Sequence, residues 1–443
     1  MRPDATTRPD DRAPIDHLVI VGNGMAAHRL VATLCSKPRP PRRITVIGEE
    51  VSAAYNRILL SPWLAGEMER GALRLPEHTP TTGNRTRIET RLGERIIDID
   101  RDTRRITTAR GATLDYDRLV LATGSRSAMP PVPGVALGGV HGFRDLGDAE
   151  ILAEAARHGG RAVVIGGGLL GLEAAEGLRK RGMRVRVIQR SAHLMNRQLD
   201  ATAAGLLRGE LEARGLEIIT DAHLSELEDN GRGRVRAVHL ADGTRLAADH
   251  VVIATGIAPN VEPGRTAGLE CDRAIRVDEQ MTTSDPAIHA LGECCQFGSS
   301  TFGLVEPIWQ QAEVLAARLA GEDTPGYRDR PTATKLKISG VALYAFGPIE
   351  ATPDHDVLTY HDPEQGEYRR LLLRDGRVDG AVLYGDTAMG PWLFARSQDG
   401  THFGAARRAL LLGQADTETL LDDASADAPA TTSATDTIDQ EAA

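Results

Sequence analysis

Residues 17–61 read HLVIVGNGMAAHRLVATLCSKPRPPRRITVIGEEVSAAYNRILLS. The apolar run Leu18 to Val21 has the composition of a buried strand. A glycine loop, Gly22-Asn23-Gly24, follows it, and an amphipathic helix is predicted from there to about Cys35. A second strand, Ile44 to Ile47, ends in Gly48-Glu49-Glu50. Each piece has a physical task. Gly22 permits the sharp turn out of the strand, Gly24 admits a pyrophosphate against the backbone, and Ala27 keeps the helix close to the sheet. The helix start offers unpaired N–H groups and the positive end of the dipole to phosphate. Glu49 stands where a carboxylate accepts hydrogen bonds from a ribose. The order strand, loop, helix, strand, acid predicts a dinucleotide site.

The pattern occurs twice. Ala162 to Ile165 is a strand, and Gly166-Gly167-Gly168-Leu169-Leu170-Gly171 is a full GxGxxG. Its helix runs through Glu173 to about Lys180, and the strand Val185 to Ile188 follows. Each copy closes with an apolar strand running into Ala-Thr-Gly: Leu119–Leu121 into Thr123-Gly124, and Val251–Ile253 into Thr255-Gly256. Small residues there let a ligand approach, and the tandem arrangement marks a duplicated unit. Matching the two copies by motif sets Gln189, followed by Arg190, at the place of Glu49. An acid would favour the free ribose of NAD, and an arginine the 2′-phosphate of NADP. Gln189 and Arg190 leave both coenzymes open.

The rest of the chain fits around these units. Its 443 residues suggest two to three domains, and 41% hydrophobic composition supplies their cores. The net charge is −10, but residues 414–443 hold six Asp, two Glu and no Lys or Arg, leaving −2 for the remainder. A near-neutral body argues against nucleic acid as a partner. The acidic tail, 413–443, and residues 1–14 read as flexible or disordered. No secretory segment is expected in the polar stretch Met1 to Pro14, and no apolar run is long enough for a membrane span. The four cysteines (Cys35, Cys271, Cys294, Cys295) form no CxxC, and the histidines no HxxxH, so no metal is expected. The adjacent pair Cys294-Cys295 is read as structural. The expected compartment is the cytoplasm.

Arg57, flanked by apolar residues soon after Glu49, is placed to meet a pyrophosphate or flavin. Residues 86–118 alternate and suggest an antiparallel meander, with Ile96 taken as a cofactor contact. Met281 to Glu293 reads as turn, short strand, then Gly292-Glu293, returning the chain to the first unit with Glu293 near flavin hydroxyls. Trp309 sits on a helix beginning near Glu306 and is a candidate catalytic residue, the alternative being an ordinary core aromatic. Strands are predicted at 335–338, 341–346, 368–373 and 381–384, followed by helices, as a small α+β domain for dimerisation or docking. The fold class is therefore α/β: two Rossmann-like dinucleotide-binding domains, the first discontinuous (15–126 and 259–328), the second over 127–258, and a C-terminal α+β domain over 329–412.

Two glycine loops, two ATG segments and a late Gly-Glu resemble the pyridine nucleotide-disulfide oxidoreductase-like flavoproteins over roughly residues 15–325. Finer segments (VIVGNGMAAHR, ITVIGEE, YNRILLSPWLAGE, VVIGGGLLGLEAAEGL, LMNRQLD, ALGEC, TKLKISGVALYAFG) are similar to the flavin portion of bacterial NAD(P)H nitrite reductase large subunits. They are also similar to electron-transfer subunits of assimilatory nitrate reductases, extending the likeness to about residue 412. The resemblance implies FAD in the first unit and NAD(P)H in the second. It matches Glu173 to the acid that holds the nicotinamide carboxamide, and Glu293 to a flavin-contacting acid. This sequence holds no stretch like the cysteine-rich iron–sulfur and sirohaem domains of full nitrite reductases, so nitrite reduction by these residues alone is not expected. It also reads Leu60-Ser61-Pro62 where ferredoxin and rubredoxin reductases often carry a Lys.

The expectation is an FAD enzyme passing electrons from NADH or NADPH to an acceptor protein. A nitrate or nitrite reductase catalytic subunit leads, with a small iron–sulfur carrier as the rival. A homodimer is admitted. A non-catalytic sensor binding the same nucleotides is a further rival. Thiol-based peroxide chemistry is disfavoured by the missing redox cysteine.

Overall fold

The computed structural model describes residues 14–78, 86–336 and 338–426, the side chains of 422–426 aside. Residues 1–13 of the expected flexible N-terminus, and the acidic tail beyond 426, lie outside them.

The first unit is built on a five-stranded parallel sheet in the order Ile288–Ala290, Arg118–Leu121, His17–Val21, Arg43–Gly48, Arg87–Leu92. Its central strands are apolar throughout because both faces are covered; Leu18, Val19, Ile20, Leu119, Val120 and Leu121 are fully buried. The helices Met25–Ser36 and Val305–Leu319 pack together as part of that cover. The meander begins later than the alternation suggested. Arg87–Leu92 runs in register beside Arg43–Gly48 as an edge strand, half wetted, which its alternating RIETRL sequence suits. Only Ile96–Asp100, Arg105–Thr108 and Thr113–Asp115 form the antiparallel meander.

The second sheet repeats the plan: Glu217–Ile219, Arg184–Ile188, Arg161–Ile165, His250–Ile253 and Val140–His141, all parallel. The chain enters this unit through Ser125–Ser127 and leaves through Ile257–Pro259. These two short strands pair antiparallel as one ribbon. Strand Ile288–Ala290 then rejoins the first sheet, so the first domain is discontinuous.

A second compact body gathers residues 342 onward with the short segments 197–203 and 333–335. Its antiparallel sheet has the order Thr334–Lys335, Leu343–Phe346, Arg377–Tyr384, Glu367–Arg374, His355–Asp362. The edge strand His355–Asp362 escapes sequence reading because its HDVLTYHD is largely exposed and lacks an apolar face. The tail is not disordered from its start. Gln414–Ala426 is helical, with Thr417 buried and Leu421 packed on this body's core. Asp416 in its first turn suits the positive end of the helix. Among the described residues no helix is long and apolar enough to cross a membrane.

Candidate dinucleotide sites and their junction

The two glycine loops are built alike. Gly22 and Gly166 both hold φ near +119°, and a Cβ would lie 2.1 Å from Ala122 O in one and 2.4 Å from Ala254 O in the other. Their N–H groups donate to Ile47 O at 2.7 Å and Ile188 O at 2.8 Å, fixing each loop to the end of the second strand. Gly171 is equally constrained, since its Cβ would sit 1.9 Å from Gly166 O; Ala27 fills that place in the first loop, fully buried. Gly24 and Gly168 differ in kind. Around a Cβ at Gly168 there is open space, and at Gly24 the nearest atom is Arg57 Nε at 4.0 Å. Both helices start there without a side-chain cap, leaving their first N–H groups to a ligand. A dinucleotide pyrophosphate fits both sites on these grounds. Gly124 and Gly256, at the neighbouring strand ends, also face open space, and Thr123 is tied to Asn260 by two hydrogen bonds of 2.7 and 2.9 Å.

Charged groups gather beside the first loop. Arg57 pairs with Glu50, donates to Arg144 O at 3.1 Å and lies over the Tyr55 ring. Tyr55 donates to Glu50 at 2.7 Å and accepts from Leu146 N at 2.9 Å. Arg144 pairs with Glu293, which also accepts from Ser125 Oγ at 2.7 Å. Burial, and then the neighbouring Arg57, push the Arg144 pKa down to about 10. Gly292 brings Glu293 to this spot: its Cβ would be 3.2 Å from Ala26 Cβ, at the start of the first helix. Arg57 and Glu293, far apart in sequence, thus come together through Arg144. Glu50, Tyr55, Arg144 and Ser125 have no sequence signal that would have singled them out. Glu49 is exposed and bonded to no other described residue.

The ladders correct one equivalence. Val21 pairs with Ile47, and Ile165 with Ile188. The residues that follow therefore correspond as Gly48 to Gln189 and Glu49 to Arg190, one step from the match made by motif. The side chains explain the shift. In the first unit Asn23 fills the space beside Gly48, where a Cβ would come 2.7 Å from Asn23 Cβ. In the second unit the loop residue is Gly167 and the strand-end residue is Gln189, so the side chain has changed sides. Gln189 is 8% exposed; its carbonyl accepts the Gly167 N–H at 2.8 Å. Its amide faces His193 O at 3.4 Å and Asn196 Oδ1 at 3.3 Å. Arg190 is exposed, with no bond to another described residue.

The two units meet at Ser61 and Glu173. The short helix Leu60–Leu64 packs on the helix Leu169–Lys180. Gly177 allows the close approach, since a Cβ there would lie 3.0 Å from Leu64 Cγ. Arg181 donates to Leu64 O and Trp63 O, closing the short helix's C-terminus. One turn before Gly177, half-buried Glu173 accepts the hydroxyl of buried Ser61. Neither end of this bond was predictable as a pair.

The remaining candidates are placed as follows. Trp309 is partly buried against the first unit's core, with the Arg29 guanidinium 5.8 Å from its ring centre. Ile96 is packed in that same core, 6% exposed, beside Ile99 and Ile106, a hydrophobic role. Cys294 and Cys295 are fully buried free thiols whose pKa values burial raises. Among the described residues no group of three His, Cys, Asp or Glu is placed to hold a metal.

Comparison with known proteins sharpens this picture. Residues 16–314 match the family described as pyridine nucleotide-disulphide oxidoreductase, and residues 332–395 match the rubredoxin NAD+ reductase C-terminal domain. The chain is 38% identical over 381 residues to a Bacillus subtilis nitrite reductase [NAD(P)H], covering 86% of this chain and 47% of that protein. It is 38% identical over 370 residues to a Bacillus subtilis assimilatory nitrate reductase electron transfer subunit, covering 84% and 48%. The chain thus spans about half the length of these curated relatives. In the covalent putidaredoxin reductase–putidaredoxin complex, a chain 27% identical superposes with a TM-score of 0.80, covering 93% of this chain and 99% of its own.

Proposed function

This chain belongs to the pyridine nucleotide-disulphide oxidoreductase family, and from that premise we propose that it feeds electrons from NAD(P)H to the catalytic subunit of an assimilatory nitrate reductase, or to a nitrite reductase. It is an FAD-dependent oxidoreductase that uses NAD(P)H and passes electrons onward. The observation carrying the choice of acceptor is its 38% identity with an assimilatory nitrate reductase electron transfer subunit. In this reading its place is the cytoplasm, a reducing compartment that suits cysteines joined by no disulfide among the described residues.

The residues divide the work. When bound, FAD would supply the redox chemistry that links two-electron hydride donation to the release of single electrons. In this reading the first loop and Arg57 hold the FAD pyrophosphate, Glu49 its ribose, and Glu293 the flavin side. Thr123, Gly124 and Gly256 line the strand ends, and Trp309 stands beside the flavin. The second loop holds the nicotinamide coenzyme, and Glu173 orients its carboxamide. Ser61 fixes Glu173 at the junction, so the coenzyme is aligned by the unit it must react with. Residues 15–126 and 259–328 serve as the FAD domain, 127–258 as the NAD(P) domain, and 329–412 as the face for acceptor or second copy.

A second reading has its own support. The C-terminal match and the putidaredoxin reductase likeness favour a ferredoxin or rubredoxin as acceptor. The deciding experiment is anaerobic. The purified yellow protein is reduced with NADPH or NADH and mixed with a nitrate reductase catalytic subunit, a rubredoxin or a [2Fe–2S] ferredoxin. Reoxidation by the catalytic subunit supports the first reading; reoxidation by a small carrier alone replaces it with the second.

A further inference from the structure

We propose that the second loop is built for NADPH, and that Arg190 rather than Gln189 reads the 2′-phosphate. This rests on the oxidoreductase reading above and names its coenzyme. A loop made for NADH offers a carboxylate to the ribose hydroxyls. Here the strand ends in Gln189-Arg190-Ser191, with no carboxylate among them. Gln189 does not substitute for one. Its carbonyl takes the Gly167 N–H at 2.8 Å, its amide faces His193 O and Asn196 Oδ1, and it is 8% exposed. It fills the space that Asn23 fills in the first unit, which makes it a packing residue.

Arg190 is at the ladder position that carries Glu49 in the first unit. The first unit presents an exposed carboxylate there and the second an exposed guanidinium. Charge is reversed at one geometric place in two copies of one scaffold. The carboxylates at this end are Glu217, paired with Arg186, and exposed Asp221, whose backbone N–H donates to Ser191 O at 3.2 Å. Neither is bonded to Arg190 among the described residues. A guanidinium fork with open donors is matched to a phosphate dianion and gains nothing from a neutral 2′-hydroxyl.

The test compares the holoenzyme with R190A. Flavin reduction by NADPH and NADH is followed anaerobically, and binding of 2′,5′-ADP and 5′-AMP is measured by calorimetry. The wild type should favour NADPH over NADH, and 2′,5′-ADP over 5′-AMP, by about tenfold or more. R190A should lose most of both preferences. Preference of the wild type for NADH, or an R190A variant that keeps the full 2′,5′-ADP preference, would overturn the assignment. If neither coenzyme reduces the flavin while 2′,5′-ADP still outbinds 5′-AMP, the oxidoreductase reading fails and the role of Arg190 stands.

Discussion

Ser61 donates its hydroxyl to Glu173 from one glycine-loop unit to the other. Ser61 is 3% exposed, so water cannot replace the bond without rearrangement. The geometry depends on Gly177, which lets the helix Leu60–Leu64 settle on the helix of the second loop. The Ser61 hydroxyl gives the Glu173 carboxylate a fixed direction where the two glycine-loop units meet.

Ser61→Ala should therefore act on the reaction and leave the fold and flavin content in place. A hydrogen bond to a charged group contributes about 1.5–3 kcal/mol, so flavin reduction by coenzyme should slow by about tenfold or more. Stopped-flow reduction at saturating coenzyme measures it. An unchanged rate would remove Ser61 from any positioning role.

The two loops should fail separately. Gly22→Ala forces a Cβ to 2.1 Å from Ala122 O, and Gly166→Ala to 2.4 Å from Ala254 O, each with φ near +119°. The first variant should purify with little flavin. The second should stay yellow and resist reduction by NAD(P)H while dithionite still bleaches it. Flavin absorbance per protein and a coenzyme titration distinguish them; loss of flavin from both variants would contradict the division of labour.

His289 makes the first sheet sensitive to acid. It lies on the edge strand Ile288–Ala290, 2% exposed, with neither ring nitrogen hydrogen-bonded among the described residues. Burial, then Arg118 and Arg318, push its pKa down to about 3, against the opposing Met281 backbone and Asp285. The folded state keeps the ring neutral, whereas the unfolded chain takes up a proton near pH 6.5. Its contribution is fully present above about pH 6.5 and is lost as pH falls toward 3. The slope approaches ~1.4 kcal/mol per pH unit. Denaturant unfolding of wild type and His289→Leu between pH 7.5 and 4 should show the stability difference shifting against the wild type as pH drops. A difference constant with pH would exclude His289 as its source.

The cysteines should be bystanders. Cys35, Cys294 and Cys295 are buried, and burial raises the pKa of each. Cys271 alone is partly exposed. Alkylation of the native protein, mapped by mass spectrometry, should modify Cys271 first and leave flavin reduction intact. Early labelling of Cys294 or Cys295 would reopen a thiol mechanism.

Much of this architecture was legible in residues that do a single local job. The apolar runs at 18–21 and 162–165, and the glycines after them, announce strand and loop because nothing else fits those turns. What escaped was set by distance. Arg144 acquires its place from Arg57 and Glu293, each far off in sequence, and no local pattern encodes that meeting. The link between Glu49 and its counterpart escaped for another reason. The connections from loop to second strand differ by three residues between the copies, so counting from the glycines cannot align the ends; the match by motif falls one residue short, and only the paired ladders set it right. Arg87–Leu92 reads as part of the meander because an edge strand of a parallel sheet alternates just as a hairpin strand does.

The ribbon formed by Ser125–Ser127 and Ile257–Pro259 has a consequence for how such a chain can be altered. Both ends of the second unit emerge side by side, on hydrogen-bonded neighbours. Domains whose ends lie together tolerate insertion into a host. The stretch between the ribbon strands is thus a cassette: it can be exchanged for the corresponding stretch of a relative with a different coenzyme, through two adjacent splice points and without re-routing the first sheet.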